Sequence, residues 1–120
     1  ISKKNYSTYR FFTLGEIIIY SDSAEETLSE LVDLLYKFKY FGFRNSAIEY
    51  TMKIVDFIDQ NIDKPITKNT PKSFQKCGKK YLRYKANNHT FWYIFFDEKD
   101  NRFLINHILN NHSKDFPELL

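Results

Sequence analysis

A chain of 120 residues is the size of one domain, residues 1–120, and is long enough to bury a modest core. Twelve Phe and nine Tyr against three Gly and three Pro exclude a low-complexity chain, no apolar run approaches the ~20 residues of a membrane-spanning helix, and the single Cys77 excludes an internal disulfide and a multi-cysteine zinc site. The formal charge of +3 is unevenly spread. Between Lys64 and Lys85 stand Lys64, Lys68, Lys72, Lys76, Lys79, Lys80, Arg83 and Lys85 with no acid among them, whereas Glu25, Glu26, Glu30, Asp33, Glu49, Asp56, Asp59 and Asp63 precede them. A basic stripe beside an acidic half points to nucleic acid or another polyanion, with a solvated lysine face as the alternative. The first residues, Ile1-Ser-Lys-Lys-Asn5, lack the apolar core of a signal peptide, and the lone thiol suits a reducing compartment, so the expected location is the cytoplasm, with no membrane contact.

In chain order, Tyr9-Arg-Phe-Phe-Thr-Leu14 and Ile17-Ile-Ile-Tyr20 read as two strands, or as one strand and an extended arm; the three consecutive β-branched residues make the second the better strand. Ser23-Ala-Glu-Glu26 has the spacing of a capping box, and Leu28, Leu31, Val32, Leu35 and Phe38 recur at helical intervals. A helix is predicted from about Ala24 to Lys39, stopping before Gly42. Asn45 or Ser46 caps a second helix, whose apolar stripe is Ile48, Met52, Val55, Ile58 and Ile62, widened by Ile54 and Phe57, and which Asp63-Lys-Pro65 ends. Two such helices pack as an antiparallel hairpin, and their stripes are core rather than a cofactor site.

Residues 64–80, with Pro65, Pro71 and Gly78, read as a long basic loop containing a helical turn around Ser73 to Cys77. Three runs rich in aromatic and β-branched residues follow: Tyr81-Leu-Arg-Tyr-Lys85, His89-Thr-Phe-Trp-Tyr-Ile-Phe-Phe96 and Arg102-Phe-Leu-Ile-Asn-His-Ile-Leu109. Ala-Asn-Asn and Asp-Glu-Lys-Asp-Asn separate them, which is the punctuation of an antiparallel meander. The predicted class is α+β: an N-terminal strand and a two-helix hairpin packed on a C-terminal three-stranded meander.

The meander carries the candidate chemistry. Metal-free cleavage of RNA needs a group to take the 2′-hydroxyl proton, a cationic clamp for the phosphorane, and an acid for the leaving oxygen. Arg83 and Lys85, two apart on one strand face, supply the clamp, and His89 and His112 supply proton transfer near neutral pH. Lys79 and Lys80 extend the contact along a phosphate backbone, Tyr93 or Trp92 offers a stacking surface, and His107 completes the imidazoles. The opposing readings are structural. His107 shares the alternation of Phe103, Ile105 and Leu109, which favours burial; Arg83 and Lys85 can line a wet face; His89 can be a turn residue. Trp92 and Tyr93 point to opposite faces, so at least one belongs to the core. Cys77 has no imidazole near it in sequence, which argues against a catalytic thiol. The three histidines lack zinc-ligand spacing, so neither a metal nor any other cofactor is expected.

The order strand, helix, helix and three strands, with a basic strand opening the meander, resembles the RelE/ParE toxin superfamily of bacterial type II toxin–antitoxin systems. The resemblance runs from about Ile17 to Leu120. Its sharpest parts are Tyr81-Leu-Arg-Tyr-Lys85 leading into Trp92-Tyr-Ile-Phe-Phe96, and Leu104-Ile-Asn-His-Ile-Leu-Asn-Asn-His112 followed by Asp115-Phe-Pro-Glu-Leu119. It implies a toxin that either cleaves mRNA on the ribosome or inhibits DNA gyrase by binding, or an inactive relative that only binds its antitoxin. An acidic antitoxin, partly disordered when free, would cover the basic sheet around residues 64–85 in a hetero-oligomer. Arg83 and Lys85 match the cations of nuclease members, and His112 or Asn110 falls where those members place a final acid–base or phosphate-binding residue. The arginine that many of them carry at the start of the next strand would fall near Phe91, with His89 just before it.

Overall fold

The computed structural model describes residues 11–13, 16–37 and 44–112. The N-terminal run forms a hairpin of β1 (Phe11–Thr13) and β2 (Glu16–Tyr20), paired antiparallel. Tyr20 is the last residue of β2 to pair, opposite Ile105, and the Ser21 amide donates to the Ile105 carbonyl at 2.9 Å. The chain then turns at once into α1 (Asp22–Lys37). Its cap is therefore Ser21 and not the expected Ser23. The Ser21 hydroxyl accepts the Ala24 amide at 3.1 Å and donates to the Asn106 carbonyl at 2.9 Å, tying the helix start to the sheet. Ser23 lies one step inside the first turn.

α2 (Arg44–Asn61) begins before both expected caps. Its buried face runs through Ala47, Thr51, Ile54, Val55 and Ile58, and Ile62 just beyond its end is buried too. Ile48 and Met52, expected inside, are 40% and 43% exposed. Val55, Ile58, Ile62 and Ile54 are buried as expected, and the first turns are set so that Tyr50 meets the sheet, the Trp92 indole Nε1–H donating to its hydroxyl at 3.1 Å. Small Ala47 and Thr51 then take the inward places, and the Thr51 hydroxyl is satisfied by the Ala47 carbonyl at 3.0 Å. Phe38, Gly42 and Asp115-Phe-Pro117 lie outside the described residues.

Four further strands follow: β3 (Lys68–Asn69), β4 (Lys80–Asn87), β5 (Thr90–Lys99) and β6 (Arg102–Asn110), with a 3-10 turn (Lys72–Cys77) between β3 and β4. The basic loop thus contains the expected helical turn and, in addition, a short edge strand. The sheet order is β1-β2-β6-β5-β4-β3. β2 runs parallel to β6 and every other pair is antiparallel. The meander is as predicted, inside an α+β architecture with a mixed sheet. β5 reaches Lys99 because only Asp100 and Asn101, with φ of 53° and 62°, form the turn, and these two residue types tolerate the left-handed region better than most.

The two faces bury separate clusters. The helix face holds Ile18, Tyr20, Ile54, Ile58, Leu82, Trp92, Ile94, Phe96, Phe103, Ile105 and Ile108. The outer face holds Tyr93, Phe95 and Leu109, covered by Phe74 of the 3-10 turn, whose ring stacks on Phe95 at 6.0 Å. Gly78 lets that turn pass the sheet: its φ is 148°, and a Cβ there would lie 2.7 Å from the Phe96 amide nitrogen.

Candidate phosphate-binding end of the outer sheet face

Strand alternation puts Tyr81, Arg83 and Lys85 on the outer face, since Leu82 and Tyr84 belong to the helix-face cluster. Register then arranges that face in rows. Lys85 pairs with Phe91, Arg83 with Tyr93 and Leu109 beyond it, and Tyr81 with Phe95 and His107 beyond that. Successive rows are roughly 7 Å apart, two residues of strand.

The first row lies at one end of the sheet, and Asn111 closes it. The Phe91 amide donates to Asn111 Oδ1 at 3.0 Å, Asn111 Nδ2 donates to the His89 carbonyl at 3.0 Å, and the Asn111 amide donates to the Phe91 carbonyl at 3.1 Å. This residue pins the exit of β6 to the β4–β5 turn. His89 and His112 thereby come to the same end. The His112 amide is held by Asn110 Oδ1 at 2.8 Å, and its ring Nε2 lies 3.3 Å from the Thr90 hydroxyl. The His89 amide is held by Asn87 Oδ1 at 2.8 Å. Arg83 reaches toward them, its guanidinium carbon 5.0 Å from the centroid of the Phe91 ring. Arg83, Lys85, His89 and His112 are all exposed. Arg83 and Lys85 on the outer face thus share one end of the sheet with His89 and His112, of which the His112 ring lies beside Thr90, on the alternation opposite to Phe91; these residue types can bind phosphate.

Other expected site residues lie elsewhere. Lys80 pairs with Phe96 at the far end of β4 and on the opposite alternation, and its ammonium lies 3.5 Å from Glu98. Lys79 precedes it, and its amide donates to Asp97 Oδ1 at 3.0 Å. Neither joins the cluster. Tyr93 is 5% exposed beneath the neighbouring rows, with the Tyr81 ring 5.9 Å away, so it is core and offers no free face for stacking. Trp92 is buried on the helix face. The aromatic at the surface of the cluster is Phe91. Asn110 points its side-chain oxygen at the His112 backbone and serves as a brace.

His107 departs from its expected alternation. β5 and β6 slip register between Phe95 and Phe96, leaving Asn106 as an extra residue. Phe103 and Ile105 face the helices, but His107 and Leu109 turn outward. His107 is half-buried, two rows from the cluster, and its Nδ1 lies 3.3 Å from Ser23 Oγ. It lines a separate cleft with Ser23, Cys77, Asp97 and Asn106. Asn106 Nδ2 donates to Asp97 Oδ2 there at 2.8 Å. The fold thus brings the thiol to the same cleft as an imidazole, which sequence spacing gave no sign of.

Sequence reasoning missed Phe91 as the seat of the guanidinium and Asn111 as the clasp. The Asn-Asn-His run after β6 was the available signal, since Asn side chains commonly bond nearby backbone at strand exits. Among the described residues no group of three His, Cys, Asp or Glu is placed to hold a metal ion, and no helix is long and apolar enough to cross a membrane. Compared with known proteins, the chain significantly matches no family model, no curated protein and no solved structure.

Proposed function

We propose that this chain is the toxin of a type II toxin–antitoxin system, of RelE/ParE type, and acts as a metal-free endoribonuclease on ribosome-bound mRNA in the cytoplasm. One observation carries the reading: Arg83, Lys85, His89 and His112 are all exposed at the same end of the sheet, where Asn111 ties the exit of β6 to the β4–β5 turn. In this reading Arg83 and Lys85 clamp the scissile phosphate and neutralise the charge that develops on it. His112 and His89 share the two proton transfers, one taking the 2′-hydroxyl proton and the other protonating the departing 5′-oxygen. Phe91 holds the guanidinium in place and excludes water from one side of it.

A second reading rests on Phe91, near which the arginine that many nuclease members of the resembled family carry would fall. With one cation fewer, the same surface suits a protein that inhibits DNA gyrase by binding, without chemistry of its own.

Induction in a bacterial host, with and without the neighbouring gene product, separates the readings. Primer extension of mRNA and a supercoiling assay are run on the same cultures. Cleaved transcripts with normal supercoiling support the nuclease, and the reverse supports the gyrase inhibitor. Arg83→Ala and His112→Ala each relieve growth arrest while the protein stays folded. Normal growth on induction of soluble wild-type protein overturns both readings.

A further inference from the structure

β5 and β6 join through the two-residue turn Asp100-Asn101, and the first pair behind that turn sets Lys99 opposite Arg102. Both side chains are exposed. Like charges directly opposite one another on a ladder are destabilising, so these two positions carry a cost. Among the described residues neither cation makes an ion pair, and the adjacent Glu98 lies on the other alternation, where it holds Lys80 at 3.5 Å.

The next outward row is apolar. Phe103 and Ile105 face the helices, as do Ile18 and Tyr20, so strand alternation turns Arg102, Leu104 and Ile19 outward. Leu104 pairs with Ile19 on one side and with Asp97 on the other. It is 41% exposed and stands outside the cluster that Phe74 covers.

Lys99, Arg102, Leu104 and Ile19 line one open cleft of about 440 Å³, together with Asp97 and Asp100. That volume suits a small ligand. Two breaches of ordinary surface chemistry thus stand one row, roughly 7 Å, apart: an unrelieved pair of cations and a large apolar side chain in water. One molecule relieves both if it carries a negative charge at one end and a short chain at the other. The chain is short because the floor turns polar beyond Leu104, where Asn106 Nδ2 donates to Asp97 Oδ2 at 2.8 Å. The charge is single because acids share the cleft. Asp97 is occupied by Asn106 and by the Lys79 amide, whereas the Asp100 carboxylate has no partner among the described residues and opposes a dianion.

We propose that this cleft binds a short-chain monocarboxylate, with Lys99 and Arg102 on the carboxylate and Leu104 and Ile19 beneath the chain. It lies at the far end of β5 from Phe91, so it stands apart from the candidate phosphate site and does not depend on the nuclease reading.

The test is a titration of the isotopically labelled whole chain with sodium hexanoate, followed by amide and methyl chemical shifts. The expected result is saturable shifts at Ile19, Lys99, Arg102 and Leu104. Hexanoate binds at least about tenfold more tightly than acetate, since each buried methylene is worth up to about fourfold. It also binds at least about tenfold more tightly than hexylammonium, which carries the same chain and the opposite charge. Leu104→Ser brings hexanoate down to the level of acetate. Lys99→Gln with Arg102→Gln weakens hexanoate at least about tenfold and unfolds at no lower temperature than wild type, because the repulsion is gone. The proposal is overturned by shifts centred elsewhere, by the absence of saturable binding, by equal binding of hexylammonium, or by a double variant that keeps full affinity or unfolds earlier than wild type. Tighter binding of N-acetyl-leucine than of hexanoate overturns the acyl-chain assignment in favour of a peptide carboxyl terminus.

Discussion

Replacing Asn111 by Ala tests how the two histidines are brought together. The side chain makes two hydrogen bonds, accepting from the Phe91 amide and donating to the His89 carbonyl, each 3.0 Å long. A neutral hydrogen bond contributes about 0.5–1.5 kcal/mol net, and the half-buried Phe91 amide is left without its acceptor. The exposed His89 carbonyl regains water, so that side contributes little. The expected loss is about 1–2 kcal/mol, or a fall of roughly 4 °C in Tm per kcal/mol for a domain of this size. Asn111→Asp keeps the acceptor and loses the donor, so it recovers most of the loss. Urea unfolding followed by the single Trp92 reads the stability, and amide exchange at Phe91 reads the clasp directly. Phe91 exchange should quicken in N111A and stay slow in N111D. Unchanged exchange and a midpoint equal to wild type in N111A would refute the clasp, and with it the reason the histidines share one end.

Four further outcomes follow from the packing and charge. Gly78→Ala lowers stability by about 2 kcal/mol or more, because a left-handed φ and a 2.7 Å approach to Phe96 leave no room for a Cβ; a midpoint matching wild type in chemical denaturation would contradict the geometry. Met52→Lys changes stability by less than about 0.5 kcal/mol, whereas Ile54→Ala costs about 2–5 kcal/mol; equal losses would restore the expected inward place of Met52. Phe74→Ala, which uncovers Phe95, costs about 3 kcal/mol and increases binding of a hydrophobic dye; unchanged dye binding would deny the outer-face core. Burial, and then the negative charges of Asp59 and Asp56, push the Tyr20 hydroxyl above its ordinary 10.0. The folded state thus holds that proton to higher pH than the unfolded state, so stability from this group is intact below pH 10 and falls as pH rises beyond it. Tyr20→Phe removes part of that alkaline decline, and a parallel decline in both proteins would contradict it.

The elements were legible where pattern alone decides them. Alternating aromatic and β-branched runs announced β4, β5 and β6, and helical periodicity announced α1 and α2. What the pattern did not contain was which residues of the first turns of α2 face inward, because Ile48 and Met52 satisfy the same period as Ala47 and Thr51, and the buried choice is the one that brings Tyr50 to Trp92. The N-cap moved to Ser21 because the pairing of β2 with β6 ends at Tyr20, a non-local constraint. His107 was assigned to the wrong face because one extra residue, Asn106, reverses alternation along β6, and nothing in a polar Asn within an apolar strand distinguishes a bulge from an ordinary position. Arg83 and Lys85 were correctly placed together on one face by their spacing. The same sheet end also takes His89 and His112, as neighbouring strands would bring them, but the means was not legible, because Asn111 joins chain segments twenty or more residues apart.

The central claim is that one end of the outer face binds a phosphate backbone. A titration of the isotopically labelled chain with a short single-stranded RNA, followed by amide and imidazole chemical shifts at two salt concentrations, tests it directly. The account predicts shifts concentrated at Arg83, Lys85, His89, Phe91 and His112, with affinity falling steeply as salt rises. Shifts that map to the helices or to the Cys77–His107 cleft, or no saturable binding at low salt, would contradict it.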